Sequence, residues 1–506
     1  MTAAWRGLHD PGRDYNEALR REFMTGARID RRRLLQGAGA GFFSLLTGNR
    51  LRPESVPPAS GRKPNLVFVF ADQWRAQATG YSGNTQILTP YLDRLSRESV
   101  NFRNAVSGCP VCCPYRASLL TGQNPLTHRV ILNDVPLSNC ENSIARVFKR
   151  AGYDTGYIGK WHLDGIDRSA FIPPERRQGF DFWKAFGCTH DYHNSYYYGD
   201  GEEKRRWEGY DAEAQTKAAE AYIREHSDGR PFSLFLSWGP PHAPYHTAPE
   251  AYRKMFSPAD IRLRDNVPVE FEQAARESLA GYYAHIAALD DCMGRLIRVL
   301  DETELSGDTI LVFTSDHGDM LYSQGSRKKQ QPWDESIRVP FLIRYPGLHG
   351  RSGRAIDTLL STPDIMPTLL GLCGITVPAT VEGRDYSGLV SGADPDSGTA
   401  ALISCPSPFG QWQRSRGGRE YRGLRTARYT YARDLEGPWL LFDNLDDPAQ
   451  ERNLCREADY RTLQNRLDEM LLERLREIGD EFLPGPVYIE RMGYLVDDSG
   501  TVPYRG

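Results

Sequence analysis

The chain has 506 residues, 40% of them hydrophobic and 25% charged, with a net charge of -4. That is the make-up of a globular protein long enough for two structural units, with no global field to recruit nucleic acid. Nine cysteines without paired spacing exclude a disulfide scaffold, and the Cys109, Cys112 and Cys113 cluster lacks the second pair that a zinc or redox site needs.

Near the N-terminus, Arg31-Arg32-Arg33-Leu34-Leu35 resembles a twin-arginine export signal. The weakly apolar run from Gly37 to Leu46 that follows is too short to span a bilayer, so it reads as an address rather than an anchor. A disordered basic tail is the alternative. A start at Met24 would shorten the segment before the arginines. The Pro- and Ser-rich residues 50–64 read as a linker.

Asn65 to Phe70 is a continuous apolar run of strand length, suited to a strand buried on both faces. Thr89-Pro90 opens a helix, and Asn142 to Arg150 forms another, closed by Gly152 and followed by a strand from Asp154 to Ile158. Further strands are expected at Phe232–Ser237, Thr309–Thr314 and Val339–Ile343. Between them Tyr282, Ile286, Leu289, Met293, Leu296 and Leu300 recur at helical spacing on one long helix. This alternation specifies an α/β domain, a large mixed sheet with helices on both faces. After about residue 395 the pattern shifts. Strands within Tyr421–Tyr431 and Trp439–Phe442 precede a helix carrying Leu463, Leu467, Leu471 and Ile478 on its apolar face. A smaller antiparallel α+β unit is expected there. The proposed division is 1–64 for signal and linker, 65–395 for the α/β domain, 396–485 for the α+β subdomain and 486–506 for a tail.

Acidic and polar pairs stand directly after two of the strands: Asp72-Gln73 and Asp316-His317. The carboxyl ends of strands are where open α/β sheets bind ligands. Between them lies Cys112-x-Pro114-x-Arg116, followed by Leu120-Thr121-Gly122. Together these resemble the signature of the formylglycine-dependent sulfatases, in the alkaline phosphatase superfamily, and the likeness runs from Asn65 to about Phe482. The resemblance implies that Cys112 is oxidised by a formylglycine-generating enzyme to an aldehyde whose hydrate attacks sulfur. It also implies that Asp72, Gln73, Asp316 and His317, with the modified Cys112, hold a divalent ion. Calcium is usual; Gln73 replaces the commoner acid and makes manganese an alternative. Arg116, at the start of the expected helix, would hold the hydrate and neutralise sulfate.

Gly159-Lys160-Trp161-His162 and Pro241-His242-x-Pro244-Tyr245 resemble two more elements of that family. By this likeness Lys160 and His162 hold sulfate oxygens, and His242 or Lys329 protonates the departing alkoxide. Lys328 leaves the lysine assignment open by one position, and His162 could also accept a proton during sulfate release. Asn133 sits where relatives keep a substrate-facing asparagine. Motifs around Asp364, Glu382, Tyr421 and Asp446 read as structural. Tyr115, where a small residue is commoner, departs from the pattern as Gln73 does.

The segment from His190 to Tyr198 is rich in aromatic and hydrogen-bonding groups, which suits a sugar ring, or else a packed loop over the sheet. His190, Tyr192 and His193 are the candidate contacts for a carbohydrate sulfate. The function expected is that of a sulfuric ester hydrolase acting on a sulfated small molecule or glycan, exported by the twin-arginine machinery to the periplasm or medium. The alternatives are a general aryl sulfatase, a phosphonate monoester or phosphodiester hydrolase of the same superfamily, and an inert sulfatase-like binding protein. No nucleic-acid partner and no membrane span are expected.

Overall fold

The computed structural model describes residues 62–505, apart from residue 228 and residues 393–397. The twin-arginine segment and most of the 50–64 linker therefore lie outside the described residues.

Eight strands form one sheet: β1 (Asn65–Asp72), β2 (Val100–Val106), β3 (Asp154–Lys160), β4 (Phe182–Phe186), β5 (Phe232–Pro241), β6 (Thr309–Ser315), β7 (Phe341–Arg344) and β8 (Arg354–Ser361). Their order is β8-β2-β7-β6-β1-β5-β3-β4. Only β7 runs antiparallel to its neighbours, so the sheet is mixed. The unbroken apolar run of β1 has the expected cause. Leu66, Phe68 and Phe70 enter one core, while Val67, Val69 and Ala71 enter the other. A strand buried on both faces has no polar side to alternate with.

The first core is closed by helices α1 (Cys112–Thr121), α2 (Ile144–Arg150) and α3 (Thr362–Leu372). The second is closed by α4 (Asp211–Glu225) and the long α5 (Glu272–Glu302), whose 31 residues include the run from Tyr282 to Leu300. β1, β3, β5 and β6 are parallel, so Asp72, Lys160, Pro241 and Ser315 finish on one edge of the sheet. That edge collects the chemistry.

Helix α1 begins at Cys112 itself rather than at Arg116, and Gly122 in a left-handed conformation ends it. Cys112 and Arg116 are thus one turn apart on the same helix face. All ten residues of α1 are buried.

Four strands, β9 (Ala400–Cys405), β10 (Tyr421–Thr426), β11 (Tyr429–Asp434) and β12 (Gly437–Asp443), form the second, antiparallel sheet. Helix α6 (Arg461–Glu477) covers one face through Leu467, Leu471 and Leu475. On the other face Ile403 and Tyr421 share a core with Val106, Ile337 and Leu359, which fastens the small sheet to the large one. Among the described residues no helix is long and apolar enough to cross a membrane.

One buried acid lies close to the catalytic edge. Asp211 opens α4 and donates its backbone N–H to Tyr192 O at 2.9 Å. Burial outweighs the nearby Ser195 hydroxyl and Ala212 amide and pushes its carboxyl up to about 8. A raised carboxyl contributes stability that is full below the unfolded value, roughly 4, and is lost as pH climbs towards 8. Asp211→Asn is therefore expected to melt a few degrees above the parent at pH 8.5 and level with or below it at pH 5. Scanning calorimetry at the two pH values checks this, and an equal difference at both would remove the assignment.

Candidate active site

Cys112 Sγ is the hub of the strand-end cluster. Lys329 Nζ lies 2.8 Å away, His317 Nε2 3.4 Å, Asp72 Oδ1 3.7 Å and Lys160 Nζ 3.9 Å. Burial and the Asp72 charge push the thiol up, but Lys160, Lys329 and His317 outweigh them and hold it well below its usual range. An anion at this position is therefore favoured by its surroundings, whatever atom carries it.

Arg116 bonds the outer oxygens of both acids, Asp72 Oδ2 and Asp316 Oδ2, each at 3.2 Å. Its other edge bonds Lys160 O at 2.7 Å and Ser237 Oγ at 2.8 Å. Lys160 Nζ also takes Asp72 Oδ2, at 2.6 Å. Burial raises the Asp72 carboxyl, yet Lys160, His242, Lys329 and His317 bring it well below the ordinary value. Asp316 goes the other way, raised by burial and by Asp72. These contacts correct one expectation for Arg116: both terminal nitrogens are engaged, Nη2 by the acids and Nη1 by Lys160 O and Ser237 Oγ, and only the buried Nε lacks a partner, so it locks the carboxylates rather than offering a free fork to sulfate.

The inner oxygens converge. His317 Nε2 lies 3.6 Å from Asp72 Oδ1 and 3.5 Å from Asp316 Oδ1. One ligand atom from each of Asp72, Cys112, Asp316 and His317 falls within 4.8 Å of the rest. His317 Nδ1 donates to Gly318 O at 2.9 Å, which leaves Nε2 for a cation. Gln73 gives the decisive test of fit. Its Nε2 donates to Asp319 Oδ2 at 2.6 Å, while its Oε1 is buried with no hydrogen-bond partner. A buried amide oxygen beside two carboxylates and an imidazole is a donor set for a divalent ion. The residues fit the group.

His242 stacks on His190, ring centroids 4.1 Å apart and planes 6° from parallel. Burial first, then His190 and Lys329, hold its imidazole well below the usual value. His162 stands apart from the hub. Its Nε2 lies 3.1 Å from Asp134 Oδ1, and Arg168 clamps the same carboxylate through two 2.7 Å bonds. His162 Nδ1 is buried with no hydrogen-bond partner. Although burial opposes it, Cys113, Cys188 and Asp134 raise its imidazole well above the usual value. Asn133 faces the start of α1, where its Oδ1 accepts the Cys113 N–H at 3.1 Å.

Two of the aromatic-loop expectations are corrected. Tyr192 is fully buried and its hydroxyl donates to His242 O at 2.7 Å, so it props the His242 loop instead of meeting substrate. His193 is exposed, but its Nε2 is engaged with Thr247 O at 2.8 Å. His190, half-buried on His242, is the one of the three joined to the cluster. Lys329 is buried against Cys112, whereas Lys328 has positive φ and donates its backbone N–H to Asp319 Oδ1. Residues that sequence reasoning missed are Asp134, Ser237, Tyr245 and Asp319. Tyr245 was visible only as the last residue of the Pro241-to-Tyr245 motif, and its contact with Asp319 joins segments far apart in the chain.

The sequence model of the sulfatase family matches residues 64–375. The chain belongs to the sulfatase family. It is a sulfuric ester hydrolase, and a second family model, the C-terminal part of N-sulphoglucosamine sulphohydrolase, matches residues 324–477. An ulvan-active sulfatase of Formosa agariphila is 45% identical over 447 residues, 87% of each chain. An endo-4-O-sulfatase of Bacteroides thetaiotaomicron is 31% identical over 489 residues, covering 85% of this sulfatase and 95% of the relative. A solved structure from work on glycosaminoglycan metabolism by Bacteroides thetaiotaomicron superposes with a TM-score of 0.76 at 28% identity, covering 88% of this chain and all of the other.

Proposed function

We propose that this sulfatase removes sulfate from a sulfated polysaccharide of the ulvan type, using a formylglycine made from Cys112 and a divalent ion, calcium or manganese. The observation that carries the reading is the crowding of two ammonium groups and the Asp72, Asp316 and His317 donors around Cys112 Sγ. The ulvan-active and endo-4-O-sulfatase relatives support the carbohydrate class. The formylglycine would supply a hydrated aldehyde as nucleophile, and the ion would supply the charge that lowers its pKa and orients it.

The chain's own residues do the rest. Asp72, Gln73, Asp316 and His317 would hold the ion. Arg116 fixes both acids against rotation, so the site is organised before substrate arrives. Lys160, Lys329 and His162 Nδ1 bind sulfate oxygens. The burial of Cys112, Lys160 and Lys329 keeps water from screening these contacts. Lys329 also holds the proton that the departing sugar alkoxide needs, while His242 starts neutral and is placed to take a proton as sulfate leaves. The twin-arginine reading, with export to the periplasm or medium, stands beside this as part of the same proposal.

Sulfate release from ulvan oligosaccharides, glycosaminoglycan oligosaccharides and 4-nitrocatechol sulfate, followed by ion chromatography, and release of the alcohol from phenylphosphonate monoesters, followed separately, test the assignment. The expected order places ulvan oligosaccharides first. Turnover of phosphonate esters alone would replace the reading with the phosphonate hydrolase alternative.

Asp319 gives a separate check on the ion. It anchors Gln73 Nε2 and also accepts Tyr245 Oη at 2.5 Å, so it fixes which end of the Gln73 amide faces inward. After chelation, Asp319→Ala is expected to need ~10–100-fold more added calcium or manganese for half-maximal activity. An unchanged requirement would mean that Gln73 is not a ligand.

A further inference from the structure

Arg75 lies two residues beyond Gln73, but its side chain belongs to a different cavity. Its backbone N–H donates to Tyr282 Oη at 2.9 Å, and it is one of the residues lining a cavity of about 350 Å³. Three more arginines, Arg262, Arg264 and Arg338, line the same space, and no carboxylate does. Cys112, Lys160, His242, His317 and Lys329 are not among the lining residues.

Arg75 is only 3% exposed, and its Nε and Nη1 are buried without any hydrogen-bond partner. No acid among the described residues pairs with it. The neighbours are partly neutralised. Arg264 Nε bonds Glu335 Oε1 at 2.9 Å, and Arg338 Nη1 bonds Asp334 Oδ2 at 3.2 Å. Arg338 Nε is also buried without a partner. Arg262 stands exposed at the rim, its Nη2 on Thr85 Oγ1 at 2.9 Å. Four guanidinium groups against two acids leave a surplus of positive charge concentrated on Arg75.

A guanidinium cannot shed its proton to escape burial, so the surplus needs an anion. Its planar fork matches the oxygens of a tetrahedral sulfate or phosphate. The volume is at the small end of ligand pockets, roughly 300–1,000 Å³, large enough to admit the sugar unit that carries such a group.

We infer that this cavity is a second oxyanion site, in which Arg75 and Arg338 hold a sulfate-like group and Arg262 gathers it at the rim. The same chemistry has two sources: a further sulfate on the polysaccharide, or free sulfate released by the reaction. The inference does not depend on the carbohydrate reading, because binding is measured without turnover.

Crystals of the whole protein soaked in sodium selenate test it. Anomalous selenium scattering is expected between Arg75 and Arg338, apart from any peak at Cys112. In solution, calorimetric titration with inorganic sulfate is expected to lose one binding component, weakened at least ~10-fold, in Arg262→Ala. Arg262 is a surface residue, so this variant keeps the fold even where Arg75→Gln does not. Absence of selenium from the cavity, with an unchanged titration of Arg262→Ala, overturns the inference. When the site binds, kinetics identify the source. A KM raised for ulvan oligosaccharide but not for 4-nitrocatechol sulfate identifies a substrate sulfate, and unchanged KM for both identifies the free ion.

Discussion

Cys112→Ala is expected to lower kcat/KM for every sulfate ester by at least ~10⁴-fold, with melting little changed. The magnitude follows from what the position does. Lys329, Lys160, His317 and Asp72 all meet at Cys112 Sγ, and among the described residues no other nucleophile is in contact with all four. Cys113 does not substitute, because its thiol donates to His162 O at 2.8 Å and burial raises its pKa. The side chain removed is small and sits at the first position of α1, where alanine is a good helix former. The same position should show the covalent change directly. The tryptic peptide ending at Arg116 is expected to weigh about 18 Da less than its sequence mass when the protein is made beside a formylglycine-generating enzyme, with fragmentation placing the loss on Cys112. A Cys112→Ala variant that keeps its activity, or an unmodified peptide from active enzyme, would sink the mechanism.

What could be read from sequence was set by how local each signal is. The strand-end residues Asp72, Lys160, His242 and Asp316 were legible because a buried strand announces itself as an apolar run, and its end follows within a few residues. Edge elements were not: β8 has exposed residues over its first half, and β4 is only five residues long, so neither gives a run. The choice between Lys328 and Lys329 depends on a left-handed residue at 328. Its backbone N–H is held by Asp319 Oδ1 at 3.1 Å, a contact that no spacing rule shows. Tyr192 failed for the opposite reason. Its composition suits a sugar face, but whether an aromatic ring lies on the surface or beneath it is decided by the loop's packing on Tyr210 and His285. Asp319 reaches the site through the orientation of the Gln73 amide, a contact across 246 residues of chain. Positioning residues of this sort carry no local pattern.

The same reasoning gives Lys329→Met an effect that depends on the leaving group. Burial lowers the Lys329 ammonium pKa, and the charges at Cys112 and Asp72 more than reverse it, so the proton is present when substrate binds. Part of that hold comes from the Cys112 charge. Where position 112 is no longer a thiolate, the proton is more readily given up. A sugar alkoxide is a strong base and cannot leave without a proton, whereas a nitrocatecholate can. Lys329→Met is therefore expected to lose ~10³-fold in kcat/KM for a sugar sulfate but only ~10-fold for 4-nitrocatechol sulfate. The residual loss common to both reports the sulfate contact. His242→Asn is expected to lose similar factors on the two substrates, because an imidazole held neutral by burial, His190 and Lys329 has no proton to give at the outset. If His242→Asn instead discriminates between the leaving groups and Lys329→Met does not, the proton donor is His242. Lys329 is then left as a sulfate-binding cation, and the stacked His190 becomes the group that sets the donor's acidity.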